Sequence, residues 1–270
     1  MKPSEIKAIL DEYSVRPRKQ RGQNFLIDER VAEREVGFAD IERSDIVLEI
    51  GPGLGMLTER LIPKAKRVVG IENDPGLCRF LREKYGDSFE LIEGDALEVD
   101  FPKFDKMVSN IPYSISSPLL FKLLEYPFER AVIMIQKEFA ERMAARPDTD
   151  DYSRLTVNTY YRADCRLLEH VPRSRFWPEP EVDSTIIALS PRPPPFKVKD
   201  EKLFLKLVDV LFQYRRKKIS TILKMKRIVE DRISSLPYVD LRVEALSPEQ
   251  IGELSDSISS VSQRGKGSGR

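Results

Sequence analysis

The sequence predicts an α/β fold, a doubly wound and mainly parallel sheet, with a small helical domain behind it. Three observations carry that prediction. Residues 46–135 alternate short β-branched apolar runs with amphipathic stretches, and a glycine-rich turn follows the first of those runs. The prolines of PRPPPF (191–196) then give way to residues 200–254, where only helical periodicity remains. A length of 270 residues suits one large domain and a smaller one.

The elements follow in order. IVLEI (46–50) is a buried-strand candidate, and MLTERLIPKA (56–65) has helical spacing. RVVGIE (67–72) is a second strand, and PGLCRFLREKYG (75–86) a second helix with Gly86 as its C-cap. SFELIEGD (88–95) and FDKMVSN (104–110) are the third and fourth strands; SPLLFKLLEY (117–126) is a helix with proline in its first turn. RAVIMIQ (130–136) is a fifth strand leading into the helix KEFAERMAAR. RLTVNTYYRADCRLLEHV (154–171) and VDSTIIALSPR (182–192) read as further strands, joined by RSRFWPEPE. Beyond the prolines, EKLFLKLVDVLFQYRRKK, ISTILKMKRIVEDRI and SPEQIGELS read as helices, the last with Ser247 as N-cap. The expected boundaries are a catalytic domain over 1–192, whose residues 1–21 form a flexible basic segment, a helical domain over 193–255, and a disordered tail over 256–270.

Composition narrows the function classes. No apolar run approaches the roughly 20 residues of a membrane span, and the N-terminus lacks the apolar core of a secretory signal. Cys78 and Cys165 have no CxxC spacing and His170 is the single histidine, so no disulfide framework, metal site or histidine-based catalysis is expected. The same usage suits a reducing cytoplasm. Charged residues reach 33%, a level common in heat-adapted proteins. The net charge of +1 is unevenly spread: residues 191–270 hold 17 Lys/Arg against 10 Asp/Glu, the rest 28 against 34. A basic end suits a polyanionic partner, and a solvated helix surface accounts for it equally well.

EIGPGLG places Gly51, Gly53 and Gly55 between the first predicted strand and helix, where glycine lets a ligand approach the backbone at a helix N-terminus. Many such turns need glycine for tight geometry alone. Met56 stands where a dinucleotide fingerprint would have its third glycine, and Glu72, 21 residues beyond Gly51, is placed for ribose hydroxyls. Glu49, Glu72, Asp74 and Asp95 gather at strand ends. Each alone could be a cap or surface acid. Together they disfavour a pyrophosphate and favour S-adenosylmethionine, a sulfonium without phosphates, with Asp95 set to accept from its adenine amino group.

NIPY (110–113) ends the fourth predicted strand, beside such a cofactor. The exocyclic amine of adenine is a weak nucleophile because its lone pair is delocalised. The Asn110 side-chain carbonyl and the Ile111 backbone carbonyl could accept its hydrogens, and Tyr113 could stack on the ring. The base would have to be unpaired or flipped. Phe176 in FWPEPEVDS, with Trp177 beside it, is a candidate for the opposite face, and core packing before a strand is its alternative.

These motifs, with GQNFLID (22–28), GIEND (70–74), EGDAL (93–97) and QYRRKKIS (213–220), resemble one family: the small-subunit ribosomal RNA adenine N6,N6-dimethyltransferases of KsgA type. Trp177 and Glu179, in place of a proline run, point to an archaeal or eukaryotic style of member. The resemblance implies dimethylation of two adjacent adenines in the loop of the 3′-terminal hairpin, and a role in small-subunit biogenesis. It implies cofactor contacts at Asn24, Leu26, Gly51, Gly53, Glu72, Asp95 and Asn110, with Tyr113 and Phe176 flanking the base. RNA contacts are expected at Arg18, Lys19 and Arg21 and at Arg215, Arg216, Lys217 and Lys218, although Arg215 and Arg216 could pair with acids of the first domain instead. The partner is then small-subunit rRNA in a pre-ribosomal particle, without membrane or metal, and a monomer is expected. The rivals are an enzyme acting on large-subunit rRNA, of the antibiotic-resistance type, and an assembly factor without activity.

Overall fold

The computed structural model describes residues 1–16, 23–229 and 233–267, with side chains through Val261. The chain divides into two compact units, Met1–Ala140 with Asp164–Pro191 and Glu141–Ala163 with Arg192–Arg270. The first unit begins with α1 (Pro3–Glu12), β1 (Phe25–Leu26) and α2 (Glu29–Phe38). α1 buries Ile6 and Leu10, so much of the segment expected to be flexible is an amphipathic helix seated on the core. Asp28 caps α2 by accepting from the N–H groups of Arg30 and Val31 at 2.9 and 3.3 Å.

The sheet of this unit takes β2 (Ile46–Ile50), β3 (Arg67–Glu72), β4 (Glu90–Glu93), β5 (Lys106–Asn110), β6 (Arg130–Gln136), β7 (Ala163–Val171) and β9 (Ser184–Pro191). Their order is β4-β3-β2-β5-β6-β9-β7. The four pairings from β4 to β6 are parallel and β6–β9 is antiparallel. β8 (Phe176–Trp177) lies outside this sheet and pairs antiparallel with β1. α3 (Thr58–Leu61), α4 (Pro75–Tyr85) and α5 (Ser116–Leu123) connect the parallel strands. β2, β3 and β6 read clearly as strands because they are continuous apolar runs buried on both faces.

From β2 the chain winds outward to β4 and returns to β5 on the other side of β2, so the strand order reverses between β2 and β5. At the start of these strands the sheet is firmly tied. The buried ammonium of Lys106 pairs with Asp45 at 2.9 Å and also donates to the Asp40 carbonyl. At the far end it opens. β2 and β5 pair only at Val47↔Lys106 and Leu48↔Met107, against five pairs each for β2–β3 and β5–β6. Ile50 N–H donates to the buried Ser109 Oγ at 2.7 Å, a side chain standing where a strand partner's carbonyl would serve.

α6 (Lys137–Met143) leads into the second unit, formed by α7 (Arg154–Arg162), α8 (Glu201–Gln213), α9 (Ile219–Met225) and α10 (Pro248–Gly267). Three expectations are corrected here. Residues 154–162 form a helix, and only 163–171 a strand. β-branched and aromatic residues gave the stretch a strand-like look, but Ser153 N–H is satisfied by Thr156 Oγ1 at 3.1 Å, and Val157 and Tyr161 are buried in the core around Phe204. Accordingly, 141–163 belongs to the second unit rather than to a catalytic domain running unbroken to 192. The tail expected to be disordered from 256 instead continues α10 through Gly267. Ser247 does cap that helix, exchanging bonds with Gln250 at 2.9 and 3.3 Å.

Ser109→Ala would leave the Ile50 N–H buried without its acceptor. We expect it to destabilise the protein by about 1–3 kcal/mol, read as a lower urea midpoint at unchanged slope. Unaltered stability would mean that this N–H is served by another group.

Candidate active site

The opening between β2 and β5 continues into a cavity lined by Asn24, Leu26, Gly51, Gly53, Glu72, Asn110, Tyr113 and Phe176, among others. A neighbouring cavity shares Gly51 and Glu72 and adds Asp74 and Asp95. Every cofactor and base-flanking residue expected from the sequence therefore lies on one of two adjoining hollows at the carboxyl ends of the strands. Among the described residues, neither hollow is lined by a Lys or Arg.

Three local structures build the site. The turn after β2 holds Gly53 at φ +59° and Gly55 at φ +79°, left-handed backbone that favours glycine. A Cβ on Gly55 would also collide with the Tyr85 hydroxyl, which donates to the Gly55 carbonyl at 3.0 Å. Glu72 then fastens this turn to β3. Its carboxylate accepts from Gly53 N–H at 3.1 Å and from Asn73 and Asp74 N–H at 2.9 and 3.0 Å. Three of about four acceptor positions are thereby used, leaving roughly one for a ligand hydroxyl. Burial raises the Glu72 pKa above the usual carboxylate value, while these N–H donors pull the other way.

The second structure is the β1–β8 ribbon, in which Phe25 faces Trp177 and Leu26 faces Phe176. Arg175 pairs with Asp28 at 2.9 Å and its carbonyl accepts from Ile27 N–H at 2.9 Å, so two distant segments close over one side of the cavity. This ribbon gives the Phe25–Leu26 pair of that motif its structural reason, which two-residue strands do not reveal in sequence. The third is the end of β5. Tyr113 Oη and Ser184 Oγ lie 2.6 Å apart, tethering the tyrosine ring to the start of β9. Hydrogen-bond complementarity sets the Asn110 amide so that Nδ2 donates to Glu35 Oε2 at 3.1 Å and Oε1 at 3.2 Å.

Ser184 and Glu35 were missed from sequence. Ser184 lies in EVDS, eight residues beyond Phe176, and Glu35 shares the inward stripe of α2 with Val31, Ala32 and Val36. The periodicity of that helix was the signal for Glu35. Asp74 caps α4 through Gly76 and Leu77 N–H at 2.9 and 3.2 Å. Asp95 accepts from Leu97 N–H at 2.8 Å through Oδ1.

The basic residues lie in the second unit. Arg215 is turned inward: it pairs with Glu244 at 2.9 Å and donates to the Asp150 and Thr149 carbonyls at 2.7 and 3.2 Å. Its acid partner thus belongs to the second unit rather than the first. Arg216, Lys217 and Lys218 are exposed, Lys218 lying 3.5 Å from the exposed Asp240. Arg18, Lys19 and Arg21 lie outside the described residues.

Residues 15–259 match the family described as ribosomal RNA adenine dimethylase. The chain belongs to that family. This dimethylase is 44% identical to a probable ribosomal RNA small subunit methyltransferase A of Methanosarcina acetivorans, over 96% of this chain and 100% of that one. It is also similar to a crystal structure of a dimethyladenosine transferase from Plasmodium falciparum, with 32% identity and a TM-score of 0.77 over 88% of this chain and 98% of that chain. A crystal structure of the 23S rRNA methyltransferase ErmE gives 32% identity and a TM-score of 0.66 over 87% and 100%. The dimethylase's sheet is accordingly that of the S-adenosylmethionine-dependent methyltransferases. Among the described residues no helix is long and apolar enough to cross a membrane, and no group of His, Cys, Asp and Glu could hold a metal ion.

Glu49, buried at the end of β2, accepts from Thr58 Oγ1 at 2.7 Å, and burial pushes its pKa from 4.5 up to about 8. A carboxyl raised on folding stabilises the fold in its protonated form, fully below the unfolded value, and that contribution is lost as pH climbs through about 8. Glu49→Gln stays neutral throughout. Its stability relative to the unchanged protein should rise between about pH 4.5 and pH 8, by of order 1.4 kcal/mol per pH unit inside the window, and level off above it, measured by urea unfolding at several pH values.

Proposed function

We propose that this dimethylase transfers methyl groups from S-adenosylmethionine to N6 of two adjacent adenines in the loop of the 3′-terminal hairpin of small-subunit rRNA. It would do so as a monomer, on a pre-ribosomal small subunit in the cytoplasm. The observation that carries the reading is the meeting of Asn110, Tyr113 and Phe176 on the same cavity as the Glu72-bound glycine turn.

The residues fit the cofactor. An acidic pair of hollows, lined by no Lys or Arg among the described residues, disfavours a phosphate and suits a cation. Glu72 retains an acceptor for a ribose hydroxyl, and Asp95 in the adjoining hollow offers one to an adenine amino group. Gly51 and Gly53 expose backbone, and Asn24 and Leu26 line the same cavity. Bound there, S-adenosylmethionine would supply an electrophilic methyl on a sulfonium.

The protein's own task is to present an unpaired adenine. Tyr113, held through Ser184, and Phe176, held in the β1–β8 ribbon, offer two ring faces, each worth about 1–3 kcal/mol per stacked base. Asn110 Oδ1 and the Ile111 carbonyl accept the amine hydrogens, which localises the nitrogen lone pair. Asn110 takes no proton; the nitrogen becomes acidic only after transfer and releases its proton to solvent. Arg216, Lys217 and Lys218 would meet phosphates.

Labelled methyl donor, undermethylated small subunits and mass spectrometry of the 3′-terminal rRNA fragment test the reading: two dimethylated neighbouring adenines are expected. The ErmE similarity favours a second reading, methylation of large-subunit rRNA, and label found only on large subunits would replace the first with it. Asn110→Ala should keep donor affinity and lose about 10²–10³ in kcat; undiminished turnover would remove Asn110 from the centre. Glu72→Ala should weaken donor binding by about 1.5–3 kcal/mol in calorimetry. Arg216→Glu with Lys217→Glu should flatten the salt dependence of RNA affinity, since fewer counterions are then released.

A further inference from the structure

The reacting centre has a layer beneath it that no motif marks. Glu35 projects from α2 and is wholly buried. Among the described residues it has no ion-pair partner, and with the Asn110 amide oriented by hydrogen-bond complementarity its carboxylate accepts from Asn110 Nδ2 at 3.1 and 3.2 Å. An Asn side chain turns about its last torsion with a broad, roughly two-fold preference. Unrestrained, Asn110 would present its NH2 to the cavity about as readily as its carbonyl. An NH2 facing the amine of adenine sets donor against donor, and the approach becomes unproductive.

We propose that Glu35 is a positioning residue that, by accepting from Asn110 Nδ2, holds the Asn110 carbonyl toward the amine being methylated. The inference rests on Asn110 serving the reaction as described above. It asks Glu35 to be an acceptor and nothing more; Glu35 touches neither cavity.

The arrangement makes the centre sensitive to acid. Burial above all, then the charges of Glu49 and Glu169, hold the Glu35 pKa well above the usual carboxylate range. Glu169 is itself paired with Arg34 at 2.6 Å, and Glu49 receives the Thr58 hydroxyl. Protonation of Glu35 removes an acceptor and creates an O–H that can donate to Asn110 Oδ1. The amide is then free to turn over. Lower pH should therefore slow methyl transfer by way of Glu35.

The test compares the unchanged protein with Glu35→Gln and Glu35→Leu, each shown to be folded by thermal melting. Single-turnover methylation of small-subunit rRNA at saturating donor gives the rate, and calorimetry gives donor affinity. Glu35→Leu should slow transfer by about 10- to 100-fold, with donor affinity and RNA KM held within about twofold. Glu35→Gln, which keeps one acceptor, should be faster than Glu35→Leu and should lack the acid limb attributable to Glu35; Glu49 and Glu169 remain in both. A full rate for Glu35→Leu overturns the proposal, as does a loss matched by an equal loss of donor affinity. If the unchanged protein methylates no rRNA, the proposed function fails by itself. The Asn110 side-chain NH2 resonances then decide: a pH-dependent shift abolished in Glu35→Gln supports the contact, and identical titrations in both proteins overturn it.

Discussion

A parallel α/β sheet binds its ligands beyond the carboxyl ends of the strands, where the strand order reverses, and this site depends on such a point between β2 and β5. β2 and β5 are bound at their beginnings, where Lys106 and Asp45 form a buried ion pair, and they separate after two residue pairs. A separated strand exposes backbone donors that water cannot reach. Ser109 answers that difficulty with a side chain, and the Gly51 N–H donates to the Ile71 carbonyl at 2.9 Å. The cleft is therefore a satisfied interruption of the sheet, formed where the winding direction changes.

The acids around the cleft do different physical work. Glu72 is a backbone fastener with an acceptor to spare, Asp74 is a helix cap, and Asp95 supports a turn. Glu49 is buried, and burial favours its neutral form. The formal count of carboxylates thus overstates the negative charge that a ligand meets. Among the described residues, neither wall carries a Lys or Arg to set against these acids.

Much of this was legible in the sequence. Ile46–Ile50, Arg67–Glu72 and Arg130–Gln136 announce themselves because strands buried on both faces need unbroken apolar runs. Gly51, Glu72 and Asn110 could be grouped from the sequence because each ends a parallel strand or opens the turn after one, and they line one cavity. The misses have a common cause: contacts distant in sequence. Residues 154–162 have strand-like composition, and their helix is settled by a core assembled from Phe204, Leu207 and Ile222, far along the chain. The ribbon of Phe25–Leu26 with Phe176–Trp177 joins segments 150 residues apart and is too short to leave a periodic trace. Glu35, amid the charged ERVAEREV, belongs to no motif, and only its place on the inward face of α2 sets it apart.

The polypeptide leaves the methyltransferase unit after residue 140, builds α7, returns for β7 to β9, and leaves again at the prolines. Tyr152, Val157 and Tyr161 sit in a core whose other members come from beyond residue 195. Neither unit is a continuous stretch of gene. A cut at residues 191–196 would therefore not release the helical unit whole: α7 would stay behind without its packing surface, and the remaining helices would lack Tyr152, Val157 and Tyr161 from their core.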